Sequence, residues 1–205
     1  GIDVSGEGGL VWIKNREISA SDHIFTDTER GTNTILESNR GRAAQAKTDM
    51  ITSFNSNGFS IADNGNVNEN NDGHCAWTFR KAKGFFDCVK WTGDGTNNRA
   101  ISHNLGTDPR AILIKKTSNS SDWAFAFLQG VSLGTGESYT GIYLNLTQAR
   151  GGTTANGLGV SAKDSSTFTV NNNGTTKTLE FVPNTNGFKR ILHLSIHLNA
   201  LQNKI

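Results

Sequence analysis

Short runs of hydrophobic residues alternate with polar residues along most of the chain. The first run, from Leu10 to Lys14, lies between a glycine-rich start and a polar stretch. Period-two alternation between turn-forming residues is typical of β-strands. Further strands are predicted at 75–79, 85–89, 111–115, 123–128, 142–146, 168–170, 179–182 and 192–198. No window of ten or more residues carries an apolar stripe with a 3.6-residue period, so we expect very little helix.

The composition agrees with an all-β fold. The 205 residues include 23 glycines and two prolines, and only 35% of the residues are hydrophobic. Such a chain is rich in turns, yet it is long enough to bury a core. We therefore expect a β-sandwich of the jelly-roll or lectin-like kind. No run of 18 apolar residues and no leader-like segment is present, which predicts no membrane insertion and no signal peptide.

The charge pattern argues against a nucleic-acid partner. The formal net charge is only +2, and the densest basic cluster is Arg80, Lys81 and Lys83. Proteins that bind nucleic acids usually gather many more cations on one face. This cluster is therefore interpreted as the solvated end of a strand.

A weak internal repeat is present, and its matched motifs occur in the same order in both halves of the chain. Ile13-Lys14 matches Ile114-Lys115, and Asp22-His23 follows the first pair as Asp122-Trp123 follows the second. Residues 34–36 then match 141–144, and 58–61 match 167–170, with Phe59 on Phe168. A period near 100 residues is too long for a solenoid repeat. It predicts two related β-sandwich halves, at 1–83 and 84–182, followed by a C-terminal strand segment of uncertain origin at 183–205.

Several strand and turn motifs resemble a known group of proteins. The motifs are Gly8-Gly-Leu-Val-Trp-Ile-Lys-Asn-Arg16, Ala76-Trp-Thr-Phe-Arg-Lys-Ala82 with Phe85-Phe-Asp87, and Thr92-Gly-Asp-Gly95 followed by the segment 101–115. They resemble uncharacterised proteins of marine and cyanobacterial phages that are encoded near tail and other virion structural genes. The resemblance covers roughly residues 5–182. It implies a repeated β-sandwich module in a virion appendage or adhesin and supplies no catalytic residues.

The first half looks shorter than the second. Nothing before Leu10 matches the segment 85–106, which precedes the corresponding strand of the second half. We therefore expect the first repeat to be truncated at its N-terminus and the chain to be a fragment of a longer protein. The segment after Val182 departs from the pattern of the phage group, since an aromatic-rich closing strand is expected there.

An oxygen-rich segment is the candidate metal site. Asn68, Asn70 and Asp72, followed by Gly73, have the early spacing of a calcium-binding loop. The first position holds Asn rather than Asp, however, and the twelfth is Phe79 instead of the bidentate Glu. A polar hairpin loop explains the same residues. We expect no bound cofactor, with calcium as the possible exception.

Tryptophan side chains are the candidate sugar contacts. Trp12 and Trp77 lie inside apolar runs and are expected in the core. Trp91 and Trp123 adjoin polar loops, where an aromatic ring could stack on the apolar face of a sugar. These two residues are the candidate carbohydrate-binding residues, and burial in the core is the alternative.

The remaining reactive residues give no strong signal. His193 and His197 would lie about 13 Å apart on one face of a strand, without the acidic partner of a zinc hydrolase. Cys75 and Cys88 flank a predicted hairpin, with strands 75–79 and 85–89, and are expected to be small buried residues. Asp27 and Glu29 are the best candidates for the acid pair of a glycosidase, and no motif places them across a cleft.

These observations favour a non-enzymatic phage structural protein, of the tail or the host-attachment apparatus. The expected partners are other virion proteins or a host-surface glycan, and the expected location is the phage particle. A lectin-like carbohydrate-binding module is the first alternative, and a β-sandwich glycoside hydrolase is the second. The strand predicted at 192–198 has large apolar residues on one face, so we expect it to be buried within the chain or in a homo-oligomer.

Overall fold

The computed structural model describes residues 1–94, 96, 99–128, 142–147, 159–171 and 177–178. Their regular secondary structure consists of β-strands and one helical turn. The elements are β1 (Gly9–Asn15), β2 (Ile24–Asp27), β3 (Thr34–Glu37), β4 (Gln45–Ala46), β5 (Ile51–Asn55), β6 (Gly58–Ile61), α1 (Gly65–Asn68), β7 (His74–Arg80), β8 (Lys90–Trp91), β9 (Arg99–Ser102), β10 (Ala111–Ile114), β11 (Ala124–Phe127), β12 (Ile142–Tyr143), β13 (Gly159–Lys163), β14 (Thr167–Asn171) and β15 (Lys177–Thr178). The predicted all-β class is confirmed.

All described strand pairs are antiparallel. The largest sheet has the strand order β4-β3-β2-β1-β7, and two three-stranded sheets have the orders β10-β11-β12 and β13-β14-β9. Two further pairs, β5-β6 and β15-β8, complete the described set. Antiparallel sheets that bury a face against one another form a sandwich, which is the architecture seen here.

The five-stranded sheet is covered on both faces. Val11 and Ile13 of β1 pack with Ile51 of the β5-β6 hairpin and Val67 of α1. Leu10 and Trp12 point the other way and pack with Leu113 of β10. Successive strand residues face opposite sides, so the continuous apolar run of β1 supplies two cores at once.

The consecutive strands β1, β2 and β3 form a first meander, and the sheet β10-β11-β12 forms a second one. A third core lies on the far side of the second meander. Ile112 and Ile114 turn away from the five-stranded sheet and pack with Val160 and Phe168 of the β13-β14-β9 sheet. The layers therefore follow one another in the order β5-β6 hairpin, five-stranded sheet, β10-β11-β12 sheet and β13-β14-β9 sheet. Of the two tryptophans expected in the core, Trp12 is buried, whereas Trp77 is only half-buried because β7 is an outer strand of its described sheet.

The two outer hairpins share a backbone irregularity. In β5-β6, Ile51 pairs with Ile61, and the register shifts before Ser53 pairs with Ser60. In β13-β14, Val160 pairs with Val170, and the register shifts before Ala162 pairs with Thr169. A β-bulge at corresponding positions is what a duplicated unit would produce. Superposition of the two halves, with Phe59 on Phe168, stays a prediction.

The predicted hairpin between 75–79 and 85–89 is wrong. β7 pairs along its whole length with β1, from Gly9 with Arg80 to Asn15 with His74. The segment after it forms a tight turn closed by a bridge between Ala82 and Phe86. Long-range pairing with β1 therefore replaces the local hairpin. The strands predicted at 179–182 and 192–198 lie outside the described residues.

Candidate functional site

Two polar corners with the same hydrogen bonds lie at the ends of the two meanders. The first corner consists of Lys14, Ser21, Asp22, His23 and Asn39. Lys14 Nζ donates to Ser21 O at 2.8 Å, and Asn39 Nδ2 donates to Asp22 Oδ1 at 2.8 Å. His23 N donates to Asn39 Oδ1 at 2.9 Å. The asparagine thus ties the start of β2 to the residues that follow β3.

The second corner repeats these contacts with Lys115, Ser121, Asp122, Trp123 and Asn145. Lys115 Nζ donates to Ser121 O at 2.7 Å, and Asn145 Nδ2 donates to Asp122 Oδ1 at 2.8 Å. Trp123 N donates to Asn145 Oδ1 at 2.8 Å. The lysine and aspartate pairs are those that the repeat alignment matched, whereas the two asparagines were not predicted.

The corners meet through the segment that follows β3. Gly41 O accepts hydrogen bonds from Ser121 N at 2.7 Å and from Lys115 Nζ at 3.3 Å. Trp123 Nε1 donates to Glu37 O at 2.8 Å and to Arg40 O at 3.1 Å. The second corner therefore fixes the backbone that carries Arg40 and Arg42.

A shallow, solvent-open depression of about 430 Å³ lies where the corners meet, and we call it the arginine groove. Residues 40–42 and 120–122 line it. Arg40 Nε lies 2.7 Å from Asp22 Oδ1, and Arg42 Nη1 lies 3.0 Å from Glu37 Oε2 and 3.3 Å from Asp22 Oδ2. The side chains of Arg40 and Arg42 are 47% and 55% exposed, whereas both carboxylates are mostly covered.

The electrostatics of the groove keep Asp22 ionised. Burial alone would raise the pKa of Asp22, but hydrogen bonds from Arg40 and Asn39 and the charges of Arg40 and Arg42 outweigh that effect and lower it. Burial, with help from the neighbouring Lys14 charge, lowers the pKa of His23 to about 4. His23 is therefore neutral near pH 7, and Asp22 is a carboxylate.

Titration of His23 predicts a pH-dependent stability. A folded-state pKa of about 4 against an ordinary 6.5 means that the unfolded chain binds the proton first as the pH falls. We expect His23 to contribute stability above pH 6.5 and to lose about 2–3 kcal/mol of it by pH 4. Chemical denaturation from pH 4 to 8 should show a flatter profile for His23→Gln than for the parent. Parallel profiles would contradict this expectation.

The structure does not bear out the tryptophans chosen as sugar contacts. Trp91 is buried and meets the edge of Phe168 at 6.0 Å, and Trp123 is completely buried between the meanders. Neither ring has a free face for a sugar, so the prediction for Trp91 and Trp123 is wrong. Among the four tryptophans, Trp77 has the most exposed surface, because β7 is an outer strand of its described sheet.

The oxygen-rich segment has its own hydrogen bonds. Asn64 is the N-cap of the helical turn α1, which ends at Asn68, and Asp72 Oδ2 accepts from Asn15 Nδ2 at 2.8 Å. In an EF-hand loop the oxygen ligands would instead surround a single calcium ion. Within the described part of the chain, no group of three or more His, Cys, Asp or Glu side chains is arranged to hold a metal ion. Calcium binding by Asn68, Asn70 and Asp72 stays a prediction.

The acid pair proposed from the sequence is not exposed to a cleft. Asp27 is fully buried and forms an ion pair with Arg30, and its Oδ1 accepts from the backbone of Glu29. Glu29 lies in the following turn and pairs with Lys81 at 2.8 Å. Asp27 therefore stabilises the β2-β3 turn, and a substrate could not reach it.

The remaining candidates are the two cysteines and the histidines near the C-terminus. Cys88 is buried, Cys75 is half-buried on β7, and neither forms a disulfide. Burial raises the pKa of the Cys88 thiol, which makes it a poor nucleophile. His193 and His197 lie outside the described residues. Within the described ranges, no helix has the length and hydrophobicity needed to cross a membrane.

Arg40 and Arg42 were not among the candidate residues predicted from the sequence. A signal was present in Asn39-Arg-Gly-Arg42, where two cations flank a glycine after a strand. The carboxylates beside them are distant in sequence, so no linear motif shows the groove.

Fold and groove together define a sandwich-like β-protein with a charged depression between two meanders. The chain matches DUF7483, a domain of unknown function, over residues 2–189. Because the match spans most of the sequence, this protein belongs to that family. No curated protein and no solved structure was found to match it.

Proposed function

We propose that the chain is a non-enzymatic structural module of a phage particle, in the tail or the host-attachment apparatus. The resemblance of its strand and turn motifs to phage proteins supports the phage assignment. The ion pairs that line the arginine groove support a binding role without catalysis. Arg42 Nη1 contacts Asp22 and Glu37 together, and the guanidinium fills the space between the two carboxylates.

This ion pairing is unsuited to acid catalysis. A glycosidase needs one carboxyl group with a raised pKa that donates a proton to the leaving group. The pKa of Asp22 is lowered, and Arg42 occupies the position between Asp22 and Glu37 that a sugar bond would need. These side chains stabilise the groove and present arginines to a ligand.

A lectin-like role is the second candidate function. An open groove that combines guanidinium donors with the Asp122 carboxylate and the Ser120 hydroxyl offers partners for sugar hydroxyls. Glycan binding and a place in a virion appendage are compatible, because attachment organelles bind host-surface sugars. The partners proposed are other virion proteins, a host-surface glycan and further copies of the chain.

Two measurements on the purified full chain test this proposal. A glycan array should show binding to a restricted set of sugars, and a reducing-end assay on the bound sugars should show no cleavage. Light scattering at high micromolar concentration should report a dimer or trimer. Release of reducing ends would overturn the non-enzymatic assignment, and a monomer would overturn the homo-oligomer.

A further inference from the structure

We infer that the arginine groove binds an acidic sugar, whose anionic group pairs with Arg40 and Arg42 and whose ring hydroxyls face Asp122. This inference rests on the proposed glycan-binding function and names the chemistry of the ligand. It also names the residues that select that ligand.

The arginines are positioned before a ligand arrives. Arg40 uses Nε for Asp22, which leaves its two terminal nitrogens for a ligand. Arg42 uses Nη1 for Glu37 and Asp22, which leaves Nη2 and Nε. Each side chain is anchored by a covered carboxylate and is still about half exposed. A guanidinium held in this way presents a planar set of donors that matches a carboxylate or sulfate group.

The backbone beneath the arginines is also fixed. Gly41 O accepts from Ser121 N and Lys115 Nζ, and Arg40 O accepts from the buried Trp123 indole. A ligand therefore meets a site whose ordering cost was met during folding, which favours affinity in a shallow groove.

Asp122, which also lines the groove, distinguishes an acidic sugar from a simple anion. Asp122 Oδ1 is held by Asn145 Nδ2 at 2.8 Å, and Oδ2 has no hydrogen bond among the described residues. A carboxylate oxygen accepts hydrogen bonds from hydroxyl groups and repels phosphate or sulfate that lies close to it. A ligand that carries an anionic group at one end and hydroxyls at the other satisfies both the arginines and Asp122.

The charges nearby leave a small positive excess. Arg40 and Arg42 pair with the carboxylates of Asp22 and Glu37. The charge of Lys14 lies near Asp22, and that of Lys115 lies near Asp122 and Lys116. Lys115 is buried and Lys14 is half-buried, and both use Nζ hydrogens for backbone carbonyls, so the arginines carry most of the accessible charge. Binding should therefore weaken as the salt concentration rises.

The test uses three probes of matched length. Oligogalacturonate carries ring carboxylates, its fully methyl-esterified form removes the charge but keeps the hydroxyls, and a sulfated galactan oligosaccharide carries sulfate instead. Calorimetric titration of the full chain should show binding to an acidic probe at least tenfold tighter than to the ester. The two acidic probes identify which anionic group is preferred.

Variants assign the binding to the groove. Arg40→Gln and Arg42→Gln should each weaken the acidic probe at least tenfold, and Arg40→Lys should recover only part of it because an ammonium lacks the planar fork. Arg80→Gln removes an exposed arginine at the end of β7 and should leave binding unchanged. Melting temperatures within a few degrees of the parent would show that the variants fold.

Three results would overturn the inference. They are equal affinity for the acid and its ester, undiminished binding in a folded double variant Arg40→Gln/Arg42→Gln, and no binding of either acidic probe at millimolar concentration. A glycan-array signal from neutral sugars that survives the double variant would retain the proposed function and reject this site.

Discussion

Replacing Phe168 with alanine is expected to lower the free energy of unfolding by about 3–5 kcal/mol. Phe168 is the second residue of β14 and is completely buried. Its ring meets Trp91 at 6.0 Å and stacks on His103 at 6.2 Å. Removing it would leave a cavity between rigid strands, which close up poorly around lost volume. Urea denaturation monitored by tryptophan fluorescence measures the loss.

Phe59 provides a matched control for this substitution. The repeat alignment matches it with Phe168, and in the β5-β6 hairpin it pairs with Phe54 and is only half-buried. Phe59→Ala should therefore cost less than half as much as Phe168→Ala. A Phe168→Ala protein as stable as the parent would contradict the position of Phe168 in the core.

Period-two patterning located many strands correctly because each strand must place its apolar side chains on a buried face. It could not show how many faces are buried. Trp123 adjoins a polar loop in sequence, yet its side chain points between two meanders and donates to Glu37 O. Burial there depends on the stacking of layers, which local sequence does not record.

Pairing between distant strands was equally hidden. The five residues between the segments 75–79 and 85–89 favoured a hairpin, but β7 gains seven cross-strand partners on β1 instead. The aromatic contact between Trp12 and Trp77, at 5.0 Å, belongs to that long-range pairing. Cross-strand side-chain pairs of this kind stabilise a register that short connections alone do not determine.

The repeat alignment carried more information about the site than any motif did. It matched Lys14 with Lys115 and Asp22 with Asp122, and the structure gives both lysines and both aspartates the same partners. The alignment did not match Asn39 with Asn145, because the loops before these two residues differ in length. Arg40 and Arg42 have no counterparts in that pattern, so the groove that they form depended on tertiary structure.

Lys115→Met is expected to destabilise the protein by about 3 kcal/mol or more. Lys115 is completely buried, and its Nζ donates to Ser121 O at 2.7 Å, Lys116 O at 2.9 Å and Gly41 O at 3.3 Å. Methionine fills a similar volume but leaves three carbonyls without this donor. The backbone beneath Arg40 and Arg42 would lose its support, so acidic-sugar binding should weaken as well.

Lys14→Met is the matched control, because Lys14 occupies the corresponding position and donates to Ser21 O at 2.8 Å and Ile18 O at 3.2 Å. Lys14 is only half-buried, so water can replace its hydrogen bonds, and we expect a cost of about 1 kcal/mol.

Burial lowers the pKa of Lys115 to about 8. Between pH 8 and 10.5 the unfolded chain keeps a proton that the folded protein releases, so parental stability should rise with pH across that window. Lys115→Met should lack this rise, and equal costs for the two methionine variants would contradict the special role of Lys115.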